Sequence, residues 1–290
     1  MAEVRSSTMA SSSSAVSVSA VEYASSSTPT LLEAARELWA YRELFFFLAW
    51  RDITIRYRQT ILGAAWAVLQ PLITMVVFTF LFGMVFKVPI TAGIPAPIFY
   101  LSGLLPWLYF AATLTAAGNS LVGNGELIKK VYFPRLVLPA SAALVAMADM
   151  AIGAVILALM MGFYGVLSWR LLLWVPLAVL LWMFSFGVGV LLSAVNVKYR
   201  DVKHAIPFLV QIWLFLTPVI YPMNAIPPRF AWLIALNPMS GIIEAFRATT
   251  VPSQVFDWSS LLLTIVATLM ILIVGVAYFR TQEDYFTDIV

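Results

Sequence analysis

The chain has 290 residues, of which 62% are hydrophobic and 11% charged, against about 45–50% and about 25% in soluble domains. With a mean hydropathy of +0.94, one soluble core could not hide this apolar surface, so lipid is the solvent for most of the chain. The same composition argues against nucleic acid despite a net charge of +3, because basic residues in a membrane protein have a topogenic use, and the absence of cysteine excludes disulfides, thiolate nucleophiles and Cys-ligated metal.

Residues 1–30 are Ser-rich and lack the continuous apolar core of a signal peptide. They are expected to form a disordered cytoplasmic tail. Residues 31–48 place Leu32, Ala35, Leu38, Leu44 and Phe45 near helical spacing, with Glu33, Arg36, Glu37, Arg42 and Glu43 between them. This predicts an amphipathic helix lying in the membrane interface, within a segment covering 31–60. The same pattern also suits a helix packed on protein. Arg51, Arg56 and Arg58 follow. Guanidinium groups bind phosphate through paired hydrogen bonds; they also serve simply as topogenic charge against anionic lipid.

A membrane-spanning helix needs about 20 largely apolar residues. No residue between Arg58 and Lys87 is charged, and 66–86 is the first predicted span. Pro89, Gly93, Pro95 and Pro97 mark a loop before span two at 98–118. Span three, 136–164, contains the single charge Asp149, which is either functional or a helix-packing hydrogen bond. Spans four, five and six are placed at 171–195, 205–221 and 258–279. The stretch 223–257 is broken by Pro227, Pro228, Pro238, Gly241 and Pro252. It predicts two short helices, about 228–236 and 239–249, as a re-entrant pair on one membrane face. Within the second, Glu244 and Arg247 are spaced to form a structural ion pair. The domain from 61 to 290 is thus expected to be all-α and integral to the membrane, with six spanning helices.

Six spans put both termini on one side, together with thirteen of the 17 basic residues. The other side keeps Lys87, Arg170, Arg229 and Arg247. The positive-inside rule then places both termini in the cytoplasm. Gly187, Gly189 and Ser193 are small enough for close helix packing, with no partner face indicated.

Residues 119–135 break at Asn119, Gly123, Asn124 and Gly125 and then read as a short charged helix, with Glu126 at i,i+3 and i,i+4 from Lys129 and Lys130. It is either a docking element or a plain connection. Trp107, Tyr109 and Phe110 lie early in span two; Trp213, Phe215 and Tyr221 lie in span five. Aromatic faces stack on sugar rings, so these six are candidate channel residues; belts and core packing use the same residue types. No catalytic residues are expected. The sequence has no phosphate-binding G-x-x-x-x-G-K-[ST] loop, and His204 alone builds no metal site. A conduit is therefore favoured over a polytopic enzyme or a passive scaffold.

Five blocks then resemble the permease subunits of ABC-2 type polysaccharide exporters, the family of O-antigen, teichoic acid and capsule permeases. They are RDITIRYRQTILGAAWAVLQPL (51–72), GLLPWLYF (103–110), NSLVGNGELIKKVYFPR (119–135), LSAVNVKYRDVKHAIPFLVQIWLFLTPVIYP (192–222) and LNPMSGIIEAFR (236–247). The resemblance runs from about residue 31 to the end. It implies a homodimer in the cytoplasmic membrane, paired with two copies of a separate ATPase that carries the ATP and Mg; no cofactor is expected in this chain. It implies that Glu126, Lys129, Lys130, Tyr132 and Arg135 belong to a coupling helix seated in that ATPase. It further implies an undecaprenyl-diphosphate-linked glycan as substrate, with Arg51, Arg56 and Arg58 beside its cytoplasmic entrance. An ABC-2 permease for a small lipid or drug is the alternative.

Overall fold

The computed structural model describes residues 31–58, 63, 65–90, 93–250 and 256–283. The Ser-rich stretch 1–30 lies outside the described residues. All regular structure among the described residues is helical. Helix α1 (Leu31–Ala40) and helix α2 (Arg42–Arg58) come first, then α3 (Ala65–Phe78), which runs on as a π-helix over Thr79–Val85. Helices α4 (Ala96–Gly123), α5 (Gly125–Lys130) and α6 (Val137–Phe163) follow. A 3-10 turn at Trp169–Leu173 leads into α7 (Trp174–Lys198), and α8 (Val202–Phe215), α9 (Pro228–Ala235), α10 (Pro238–Thr250) and α11 (Trp258–Gln282) complete the order.

Helix α4 is the axis of the bundle. It packs against α3, α6, α7, α8 and α10, and most of its residues are buried. Helix α11 lies on α7. There Gly187 and Gly275 face each other, and a Cβ on Gly187 would stand 3.0 Å from the Leu272 backbone. Gly189 instead faces Ala117 of α4. These small residues therefore serve crossings within the chain, where missing side chains let backbones approach. Helix α6 ends in a Schellman motif: Gly165 adopts φ +70°, while the Val166 and Gly165 amides donate to Met161 and Gly162 carbonyls. Glycine suits this left-handed position because it lacks a Cβ.

Five helical segments among the described residues are long and apolar enough to cross a membrane: Ala65–Val85, Ala96–Gly123, Val137–Phe163, Trp169–Lys198 and Trp258–Gln282. They match predicted spans one to four and six. The expected fifth span, 205–221, is not one continuous helix of spanning length. Its helix is Val202–Phe215, 14 residues, or about 21 Å at 1.5 Å per residue, short of the about 30 Å hydrocarbon core. Pro218 has no amide proton for a helical bond to Leu214 and disfavours helical geometry at Thr217. The two short helices after it form as expected, at Pro228–Ala235 and Pro238–Thr250. Helix α10 is buried against α4, α7 and α11.

The helical segment runs beyond 31–48. It bends at Tyr41 and continues as α2 to Arg58, packed along α6. Trp39, Phe46, Phe47 and Trp50 remain exposed on its outer side.

Candidate functional site

The broken chain after α8 is held by side chains from the elements that follow. Arg247 of α10 is 1% exposed. Its guanidinium donates to the carbonyls of Pro218 and Val219, each at 2.5 Å, and to Tyr221 at 3.3 Å. It also lies 4.1 Å from the centre of the Phe99 ring. The expected pair with Glu244 exists at 3.7 Å, but the carbonyl bonds are shorter. Arg247 is shielded by protein rather than placed beside lipid. Asn237 adds a second tie, donating to Thr217 Oγ1 at 2.9 Å and accepting from Trp213 Nε1 at 3.0 Å. Irregular backbone at membrane depth persists only when such partners replace water. Spacing alone does not reveal these two roles, because the bonded groups lie 20 to 29 residues apart.

The six aromatic candidates separate into two groups. Trp107, Tyr109 and Phe110 are buried in the core of this one chain. Phe110 stacks on Phe184 with ring centres 5.3 Å apart and meets Trp213 edge-on at 4.9 Å. Within this one chain the neighbours of the axial helix enclose them, and Tyr109 also lines a small inner cavity that reaches Asp149. Trp213 and Tyr221 are partly buried, and Phe215 is exposed.

The opposite end of the bundle gathers most of the charge. Arg51 pairs with Asp52 at 2.8 Å and donates to Asn124 Oδ1 at 3.1 Å. Asn124 is the residue joining α4 to α5, so this bond ties α2 to the base of the short charged helix. That helix spans Gly125–Lys130, with Lys130 and Glu126 paired at 3.2 Å on its exposed side. Tyr132, just beyond, is 88% exposed. Arg135 does not join this surface: its guanidinium donates to the Glu283 carbonyl at the end of α11. Arg280 pairs with Glu37 of α1 and with Glu283. The first and last described helices and the α5–α6 connection thus meet in one polar cluster.

Arg56 pairs with Asp149 at 2.5 Å, and Tyr57 Oη donates to the other carboxylate oxygen. Asp149 lies twelve residues into α6, about 18 Å from its start. The Arg56 and Asp149 side chains are 40% and 33% exposed. Arg58 is exposed at the end of α2. Arg51, Arg56 and Arg58, expected to act as a group, therefore have distinct settings.

Two cavities flank the Arg56–Asp149 pair, one lined by each partner. A crevice of about 250 Å³ is lined by Asp52 and Arg56 of α2, Asn119 and Asn124 at the end of α4, and Leu138 and Val145 of α6, among others. Farther along the same α4–α6 groove, an inner cavity of about 60 Å³ is lined by Gln70 of α3, Leu105 and Ala112 of α4, and Asp149 itself. Among the described residues, no cluster of three or more His, Cys, Asp or Glu side chains is arranged to hold a metal ion.

Comparison with known proteins places this geometry. The chain is 29% identical to the O-antigen export system permease protein RfbA of Myxococcus xanthus over 89% of this chain and 99% of that protein. It is 27% identical to the RfbA permease of Klebsiella pneumoniae, covering 85% and 95% of the two chains. It is 24% identical to the polysialic acid transport protein KpsM of Escherichia coli, covering 81% and 91%. Residues 43–251 match the ABC-2 type transporter family, from α2 to the end of α10, and the chain belongs to that family of membrane proteins.

Proposed function

We propose that this chain is the membrane-spanning subunit of an ATP-driven exporter, moving an undecaprenyl-diphosphate-linked polysaccharide from the cytoplasmic to the outer side of the cytoplasmic membrane. The observation that carries this reading is near full-length similarity to O-antigen permeases, joined to an arginine-bearing crevice at the end of the bundle richest in basic residues. A diphosphate does not cross hydrocarbon unaided, and arginine is the side chain suited to receive it.

Helix α5, with Glu126, Lys129, Lys130 and Tyr132, is the surface for a separate ATPase; Arg135 anchors that surface from behind. Two such ATPases act on a homodimer of this chain. The apolar faces of α3 with its π-helical continuation and of α8, where Ile73, Val76, Phe80, Phe208, Ile212 and Phe215 are exposed, supply the surface for the second copy and for lipid. Helix α8 completes a sixth crossing together with the chain that follows it, and α9 and α10 form the re-entrant pair at the outer mouth. Both termini are cytoplasmic. The glycan is too long to enclose whole, so it passes through the dimer in steps.

Depletion of the protein in its host tests this reading. Lipid-linked glycan should accumulate on the cytoplasmic face while surface polymer is lost. Normal surface polymer without internal build-up would overturn it and favour a permease for a small lipid or drug.

A further inference from the structure

We propose that Asp149 is the resident counter-ion of a diphosphate site, and that an arriving lipid diphosphate takes Arg56 from it. This deepens the reading above and rests on it. The Arg56–Asp149 pair lies where the α4–α6 groove passes from beneath α2 to beneath α3. Arg56 lines the outer crevice and Asp149 the inner cavity, so the pair stands as a partition between them.

The chemistry suits exchange rather than permanent pairing. An unpaired carboxylate inside a spanning helix is costly, so Asp149 needs a partner whenever the site is empty. A diphosphate offers more charge and more acceptor oxygens than one carboxylate, and engages both arms of a guanidinium, whereas Asp149 receives a single Arg56 nitrogen. Arg56 is only half covered, which leaves its fork open to a second anion. Tyr57 Oη remains on the other oxygen of Asp149, so the carboxylate keeps a donor while Arg56 is engaged elsewhere. Asp52 and Asn124 hold Arg51 beside the same crevice. When the headgroup moves on, Asp149 recovers Arg56 and the partition reforms. A purely structural pair would show no coupling to ligand.

The test uses the full chain with its ATPase in lipid nanodiscs, with undecaprenyl diphosphate as the probe and inorganic diphosphate as competitor. Arg56→Gln should weaken binding of the lipid probe about tenfold, the scale of one lost charge-assisted bond. Asp149→Asn, which removes the competing charge, should tighten binding several-fold and slow export. Tyr57→Phe should weaken binding several-fold without touching phosphate, and it also decides the matter if Asp149→Asn does not fold. Wild-type affinity in Arg56→Gln would overturn the headgroup reading itself. Weakening in Arg56→Gln with unchanged affinity in both Asp149→Asn and Tyr57→Phe would overturn only the exchange. Equal displacement by inorganic diphosphate would show that the site reads the diphosphate alone; a much weaker effect would show that the lipid tail contributes. Either result is compatible with the exchange only if the Asp149→Asn or the Tyr57→Phe shift is present.

Discussion

The guanidinium of Arg247 occupies the space where Gly103 would carry a side chain. A Cβ built on Gly103 would stand 2.8 Å from Arg247 Nη2 and 3.2 Å from Cζ. Arg247 is fully enclosed and bonded to three carbonyls, so it cannot swing aside. Gly103→Val should therefore destabilise the protein by about 1–3 kcal/mol, the usual range for an overpacked site. Thermal unfolding in detergent measures this. An unchanged midpoint would mean that the clamp on residues 218–221 is loose.

The α7–α11 crossing makes a second packing prediction. A Cβ on Gly275 would press on the Gly187 carbonyl, and one on Gly187 would press on the Leu272 backbone. Backbone yields less readily than a side-chain tip. Gly187→Leu should cost about 1–3 kcal/mol and separate α11 from α7. Gly162→Ala, where a Cβ meets nothing within 4 Å, is the control within helix α6 and should hold or slightly raise the unfolding midpoint.

Tyr132 is almost wholly exposed beyond α5. Large exposed aromatics of this kind act as anchors when a partner covers them. Tyr132→Ala should leave the stability of the isolated chain unchanged while weakening association with the ATPase by about tenfold or more, a loss of about 1.4 kcal/mol or greater. Co-purification and binding titration read the effect. Loss of the exposed Glu126–Lys130 pair alone should change stability by less than about 1 kcal/mol.

Because the chain contains no cysteine, single introduced thiols report topology directly. Tyr132→Cys and Trp169→Cys place thiols at exposed positions at opposite ends of α6. A membrane-impermeant reagent added outside intact cells should label Trp169→Cys and spare Tyr132→Cys. The reverse pattern would invert the orientation read from the basic residues.

Asp257 caps α11. Its carboxylate accepts from the Ser259 hydroxyl at 2.5 Å and from the Ser259 and Ser260 amides. The Ser259 side-chain bond first, and then the Ser260 amide, lower its pKa below the ordinary carboxylate value. A depressed folded value means the cap contributes fully above the unfolded pKa of about 3.9 and is lost as pH falls through the folded value. Asp257→Asn keeps an accepting cap but should flatten that part of the acid unfolding curve. Persistence of the same slope in the variant would assign the acid sensitivity to another carboxylate.

Chain order and composition alone determined that the protein is helical and lipid-embedded, because apolar length and the placement of basic residues reflect the local cost of burying charge. They also located the short helices at Pro228–Ala235 and Pro238–Thr250 and the charged helix at Gly125–Lys130, since proline and glycine interrupt helices wherever they fall. Residues that resembled a known family pointed to transport. Only the tertiary structure decided how far α8 extends, because the carbonyls freed around Pro218 depend on Arg247 and Asn237 from later helices. It also decided that Trp107, Tyr109 and Phe110 belong to the core, since an axial helix has neighbours on every side and periodicity cannot identify them. The joining of Arg56 and Asp149, 93 residues apart, was likewise beyond local reading. Each was visible as a charge near lipid, but their common position in the α4–α6 groove follows from how α2 folds back along α6.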